Sequence, residues 1–169
     1  MKRVNQTEQN KDTRAAGEVS IVVRKRERTL ELLRNGLVES EFKIALGRVP
    51  VGDKEIEGDG KTPEGNFFIQ GKNPKSKYHL GLGVSYPNIE DAERGLLSGV
   101  IDEDERDSIV AAMAAGEMPP QKTKLGGEIY IHGGGTDADW TQGCIALDNE
   151  DMTTLFENVP TGASVTILP

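Results

Sequence analysis

The sequence predicts a mainly β domain, α+β by content, and three observations carry that reading. Apolar residues alternate with polar ones in the first third of the chain, and short apolar runs bounded by Gly, Pro or Asp recur toward its end. Stretches with helical spacing and caps are confined to the middle and to the residues before the last apolar run.

Residues 1–17, MKRVNQTEQNKDTRAAG, are polar and aperiodic and read as a disordered arm, so the domain is expected to span 18–169. Val19, Ile21 and Val23 share one face of a first strand, Leu30 and Leu32 mark a second, and Phe42, Ile44 and Leu46 a third, with Arg34-Asn35-Gly36 as a turn. Further strands are read at 66–69 (NFFI), 128–132 (EIYIH) and 164–168 (SVTIL). The sheet is therefore expected to draw on both ends of the chain. The basic run of Arg24, Lys25, Arg26 and Arg28 around Glu27 sits where the first hairpin turns and reads as a solvated edge.

A helical hairpin is predicted as an insertion over 88–120. Asn88 offers one cap, and Asp102 with Glu105 three residues on offers a capping box; Ile109, Val110 and Met113 follow, before Gly116 and two prolines. Residues 90–107 hold eight acidic and two basic side chains, the composition of a solvated outer face. The last helix, NEDMTTLFENV, carries Met152, Leu155, Phe156 and Val159 at i, i+3, i+4 and i+7, so one face packs on the core.

Composition narrows the function. A chain of 169 residues, 36% hydrophobic, suits one globular core. Its net charge of −8 excludes a general nucleic-acid binder, which needs a clustered basic face. No run approaches the roughly 18 apolar residues of a membrane helix. The first residues lack the apolar core of a leader peptide, so export is not read from them. One cysteine excludes an intrachain disulfide and any zinc site of several thiolates. The Gly-Lys-Thr of GDGKTPEG (58–65) lacks the glycine that a phosphate loop needs at Glu55, and Pro63 follows at once. HGGG at 132–135 matches the oxyanion loop of some esterases, but no G-x-S-x-G accompanies it.

Chemistry concentrates in HGGGTDADWTQGC, residues 132–144. His132 ends an apolar strand, Gly133 to Gly135 let the chain turn, and Cys144 returns with Gly143 placed to aim two backbone N–H groups at a developing oxyanion. Asp139 and Trp140 wall this loop or staple it. The residues alone leave two readings open: a Cys-His catalytic pair, or a buried inert thiol beside a solvated histidine. His132, Cys144, Asp137 and Asp139 match no metal-ligand spacing, so no metal is expected. His79 is either a second site residue or a packed surface ring. An activated Cys144 is expected to ionise well below the ordinary thiol pKa of about 8.5.

GDGKTPEGNFFI, NPKSKYHLGLGVSYPN, GGEIYIHGGG, DWTQGCIAL and VPTGASVTIL, in that order, resemble the L,D-transpeptidase catalytic domain of bacterial cell-wall enzymes, in its branch with DWT-x-GC. The likeness runs from about residue 18 to 169. It implies a β-sandwich or barrel-like core with the nucleophile on a loop beside the sheet, no cofactor, and peptidoglycan stem peptides as substrate. Within it, Cys144 takes the role of nucleophile and His132 that of base, the Gly133 carbonyl orients the imidazole, and Gly143 and Cys144 supply oxyanion donors. His79, Tyr86, Trp140, Thr141 and Gln142 are the candidate substrate contacts. Two departures stand out: many members carry a histidine where this chain has Gln142, and their His-to-Cys segment tends to be longer. His79 is the candidate replacement.

The expected outcome is a thioester on Cys144 that an amine of a second stem resolves, cross-linking two third residues. Hydrolysis of the same thioester, as a carboxypeptidase, an endopeptidase or an amidase releasing wall-linked protein, is the rival, with the 88–120 insertion as the lid that discriminates. A non-catalytic wall-binding domain is the rival of another class. The resemblance also implies acylation of Cys144 by carbapenem β-lactams. Location follows from substrate: the cell envelope or periplasm.

Overall fold

The structure, a computed structural model, describes residues 17–169. All but the last residue of the expected arm lies outside the described residues. Strands β1 (Val19–Arg24), β2 (Thr29–Arg34) and β3 (Leu37–Lys43) form an antiparallel meander. With β4 (Gly65–Ser76), β5 (His79–Val84), β6 (Tyr130–His132), β7 (Ile145–Ala146) and β8 (Ser164–Leu168) they build one sheet in the order β3-β2-β1-β8-β4-β5-β6-β7. Strand β8 lies parallel to β1 and antiparallel to β4, so the last strand is the seam between the two halves of the chain.

The sheet curls toward closure. Residues after β3 leave the meander and reach β7, where Ala45 and Ala146 exchange both backbone hydrogen bonds at 2.9 Å. Side chains from β1, β2, β4, β5, β6, β7 and β8 meet in one core, among them Ile21, Leu30, Ile69, Val84, Ile131, Ile145 and Val165. This is the barrel-like core expected of the family. Closure also explains why the third strand stops at Lys43: Ile44 and Leu46 are buried as anticipated, but in the crossing segment.

Strand β5 was not anticipated from HLGLGV. Gly81 and Gly83 interrupt the apolar alternation, yet they lie where Tyr130 of the neighbouring strand packs over the backbone. A Cβ at either glycine would stand 3.6 or 3.5 Å from that ring. A glycine inside a run adds no side chain to the alternating pattern and so hides the strand, although a Cβ at either position would make only ordinary van der Waals contact.

Helices α1 (Ile89–Leu97) and α2 (Glu103–Ala114) form the inserted hairpin; Asp102 and Glu105 form the expected capping box, and the expected Asn88 cap proves to be a full box with Asp91. They enclose a small second core of Ala92, Ile101, Ile109 and Leu125. Helix α3 (Asn149–Asn158) buries Met152, Leu155 and the following Val159. Phe156 is half-buried.

Two expectations are corrected. Lys25 is not on a solvated edge: it is 2% exposed, and its ammonium donates to the Gly52 and Thr62 carbonyls (2.7 and 2.8 Å) and to Glu64 (3.0 Å). A buried ammonium needs that full set of acceptors, and only the 52–64 loop folding over the hairpin supplies them. Tyr86 is not a substrate contact, because it is fully buried and its hydroxyl donates to the Leu125 carbonyl at 2.7 Å. The ring joins the two cores.

Candidate active site

His132 is the last residue of β6, held on one side by β5 (Gly81 opposite His132) and on the other by β7 (Ala146 opposite His132). The triglycine that follows is constrained. A Cβ on Gly133 would lie 2.5 Å from the Asn149 side-chain oxygen and 2.8 Å from the Tyr78 carbonyl, so only glycine fits. The return is stapled by the Trp140 indole, which donates to the Gly135 carbonyl at 3.0 Å, and by Gly134 N–H donating to Asn149 at 2.9 Å.

The imidazole is 4% exposed and clamped by two aromatic rings. Tyr78 stacks on it with centroids 4.6 Å apart and planes 22° from parallel, and Trp140 meets it edge-on at 5.6 Å. Nδ1 lies 2.6 Å from the Gly133 carbonyl. A carbonyl only accepts, so Nδ1 carries the proton and Nε2 is left as the basic nitrogen. Burial lowers the histidine pKa, outweighing the Gly133 hydrogen bond that raises it, so the ring is neutral at pH 7.

Cys144 ends a tight turn. Gly143 sits at φ 145°, and a Cβ there would stand 2.8 Å from the Lys61 carbonyl. Thr141 braces the turn, its hydroxyl donating to the Cys144 carbonyl at 2.7 Å and accepting from Gly143 N–H at 3.1 Å. That contact corrects one assignment: the Gly143 N–H is already engaged, and the Cys144 N–H has no acceptor among the described residues. The thiol donates to the Glu128 carbonyl at 3.5 Å and accepts from Tyr130 N–H at 3.4 Å. Burial pushes the thiol up, and Glu128 adds to this, against lowering by the Tyr130 N–H and by Lys54. Burial thus works against the low thiol pKa expected of an activated cysteine and favours the neutral forms of both the thiol and the imidazole.

Both groups open onto one cavity of about 350 Å³, lined also by Arg48, Glu57, Lys77, Tyr78, Glu128, Trp140, Thr141 and Gln142. Trp140, Thr141 and Gln142, the candidate substrate contacts, line this cavity. His79 does not. It is exposed, and its Nε2 bonds the Thr153 hydroxyl of α3 at 2.7 Å, on the far side of the Gly133 backbone. The 88–120 insertion contributes no lining residue either, and braces the cavity wall from outside instead. Arg94 of α1 donates to Asp53 (2.8 Å) and to the Lys54 carbonyl (3.0 Å), and Gln121 just beyond the insertion accepts from Glu128 N–H (2.7 Å).

Sequence reasoning missed Tyr78, Arg48 and the role of the 58–65 loop. The Gly-Lys-Thr of that loop is a buttress: the Thr62 hydroxyl accepts from Gly47 N–H at 3.0 Å and the Lys61 carbonyl abuts Gly143. Tyr78 left a faint signal, an aromatic at the tip of a hairpin, but its neighbour His79 drew the assignment.

The geometry has relatives. A family model described as the L,D-transpeptidase catalytic domain matches residues 18–167. Escherichia coli (strain K12) YafK, itself named only by family as an L,D-transpeptidase, is 34% identical over 84 residues, 46% of this chain and 34% of YafK. The helical cell shape determining protein Pgp2 from Campylobacter jejuni superposes with a TM-score of 0.63 and 26% identity, over 89% of this chain and 47% of Pgp2. LD transpeptidase LdtMt1 in complex with imipenem shares the fold at a TM-score of 0.52 and 15% identity, over 90% of this chain and 59% of that one. The chain spans about a third of the YafK length and about half of Pgp2. The family model's match to residues 18–167, nearly the whole of the described chain, places this chain in the L,D-transpeptidase catalytic-domain family.

Proposed function

We propose that this domain is a cysteine acyltransferase of the cell envelope, an L,D-transpeptidase acting on the peptide stems of peptidoglycan. The observation that carries the reading is the shared cavity: Cys144 and His132 open onto it, and the imidazole is anchored at Nδ1 with Nε2 unprotonated. Family membership supports the substrate class.

In this mechanism His132 Nε2 takes the thiol proton as the sulfur attacks the carbonyl of the third stem residue, a diamino acid. The developing oxyanion meets the Cys144 N–H. Collapse breaks the peptide bond, and the imidazolium returns its proton to the departing amine of the terminal D-alanine. The thioester left on Cys144 is then attacked by the side-chain amine of a second stem; His132 takes a proton from that amine, and the expelled thiolate regains it. One hard amide exchange becomes two easier steps. The same nucleophile is the expected site of acylation by carbapenems, a reading that the imipenem complex of LdtMt1 supports.

Mass spectrometry of products from a disaccharide-tetrapeptide, beside Cys144→Ala, tests the reading. A dimer lighter by one D-alanine, absent with the variant, is the expected result. Release of D-alanine with water gained assigns the domain to hydrolysis instead. The absence of any Cys144-dependent product overturns the substrate assignment.

A further inference from the structure

The cavity carries charges that acid-base chemistry at Cys144 does not use. Arg48 is exposed within it, and its Nε donates to the Trp140 carbonyl at 3.2 Å. Its backbone N–H donates to the Thr141 carbonyl at 3.0 Å, so the residue is fastened to the strand of chain that leads into Cys144. The two Nη groups have no carboxylate partner among the described residues. Lys77, over the Tyr78 ring at 5.0 Å, is a second cation of the lining without an ion pair among the described residues. Tyr78 and Trp140 lie 5.2 Å apart, so both cations belong to the aromatic stretch that clamps His132.

Another stretch of the lining is anionic. Glu57 and Glu128 are exposed in the cavity, and neither carboxylate has a cation partner among the described residues. Glu57 packs on Gly126, two residues before Glu128 in the chain, where an added Cβ would meet the Glu57 backbone at 3.3 Å. The third cation of the lining, Lys54, is already committed, 3% exposed and bonded to Asp59 (2.9 Å) and the Ile56 carbonyl (3.0 Å). Glu128 is held in place at some cost: it adopts φ 55°, a left-handed conformation unusual for a glutamate, secured by Gln121 on its N–H.

We infer that the cavity is charge-matched to a zwitterionic stem, with Arg48 and Lys77 receiving the free carboxylate of the terminal residue and Glu57 and Glu128 the side-chain amine of the third. The inference rests on the peptide-stem reading and adds its specificity. A guanidinium pinned at Nε keeps a planar Nη pair free for a two-point grip on a carboxylate. One residue separates the scissile carbonyl from the terminal carboxylate. Arg48 is fastened to Trp140 and Thr141, four and three residues before Cys144. Opposite charges on separate stretches of wall also set the direction in which a stem lies, because a reversed stem would set like charges together.

The test compares kcat/KM for release of the fourth residue from four synthetic tetrapeptides: C-terminal acid or amide, each with the side-chain amine free or acetylated. The wild type is expected to prefer the acid and the free amine. Arg48→Gln should lower the acid-to-amide ratio by about tenfold while the amine-to-acetyl ratio holds, and Glu57→Gln should do the reverse. Each ratio is internal to one protein sample, so loss of folded enzyme cancels. A wild type indifferent to both modifications overturns the inference, as does Arg48→Gln lowering all four rates by one factor, which would reduce Arg48 to a brace on Trp140. If no peptide gives a Cys144-dependent product, the stem reading fails, and the inference falls with it.

Discussion

Arg28 and Asp139 are 111 residues apart in sequence and 2.8 Å apart in space. The carboxylate accepts from Arg28 Nε and Nη2 and from Leu46 N–H at 2.9 Å, tying the first hairpin, the crossing segment and the turn before Trp140 at one point. An aspartate ahead of the tryptophan is thus a clamp on the 132–144 loop, and Asp139→Asn should loosen it.

Charged hydrogen bonds of this kind contribute about 1.5–3 kcal/mol, less where solvent reaches the pair, as here. Chemical denaturation of Asp139→Asn should show a loss of about 1–2 kcal/mol at pH 7. Burial tends to raise the Asp139 pKa, but Arg28 and the Leu46 N–H hold it below the ordinary carboxylate value. A depressed carboxylate stabilises the fold above its unfolded pKa of about 3.9, and that stability is lost as pH falls through the lower folded value. The wild-type advantage over Asp139→Asn should therefore shrink below about pH 4.

Tyr78 is the ring most nearly parallel to His132. Tyr78→Leu removes the stacking while keeping apolar bulk. An aromatic pair contributes about 0.5–1.5 kcal/mol beyond burial, so kcat should fall by about two- to tenfold through misalignment of Nε2. Steady-state kinetics check this, and an unchanged kcat would show that Trp140 and Gly133 suffice to hold the imidazole.

The thiol should titrate late. Because burial raises the Cys144 pKa, the rate of alkylation by iodoacetamide should keep rising through pH 9 with no plateau near neutrality. Turnover should show a different limb. It requires only neutral His132, whose lowered pKa moves the acid limb of kcat/KM below about 6.5. An alkylation plateau at pH 6–7 would instead indicate a resting thiolate-imidazolium pair.

His79 bonds Thr153 away from the cavity, so His79→Ala should keep kcat/KM within about twofold of wild type while removing one exposed hydrogen bond of about 0.5–1.5 kcal/mol at most. A loss beyond tenfold would return the ring to the catalytic machinery.

Local pattern was enough for much of this protein. The alternation in β1 and β2, the helix caps at Asn88 and Asp102 and the i, i+3, i+4, i+7 face of α3 are short-range features, and each forms where its residues predict. The order of five sequence blocks pointed to the family before any coordinate, and the Cys-His loop stood out because it holds the one cysteine. What the sequence could not determine depends on residues far apart in the chain. The burial of Lys25 needs acceptors 27 to 39 positions away, and β5 becomes a strand by pairing with β4 and β6 on either side. The thiol pKa is raised by desolvation and by the charge of Glu128, 16 residues earlier in the chain, quantities that do not exist until the sheet closes. Residue identity and spacing determined most of the elements and singled out the Cys-His segment; tertiary closure decided protonation, charge pairing and which side chains share the cavity, because each is an effect of distance in space.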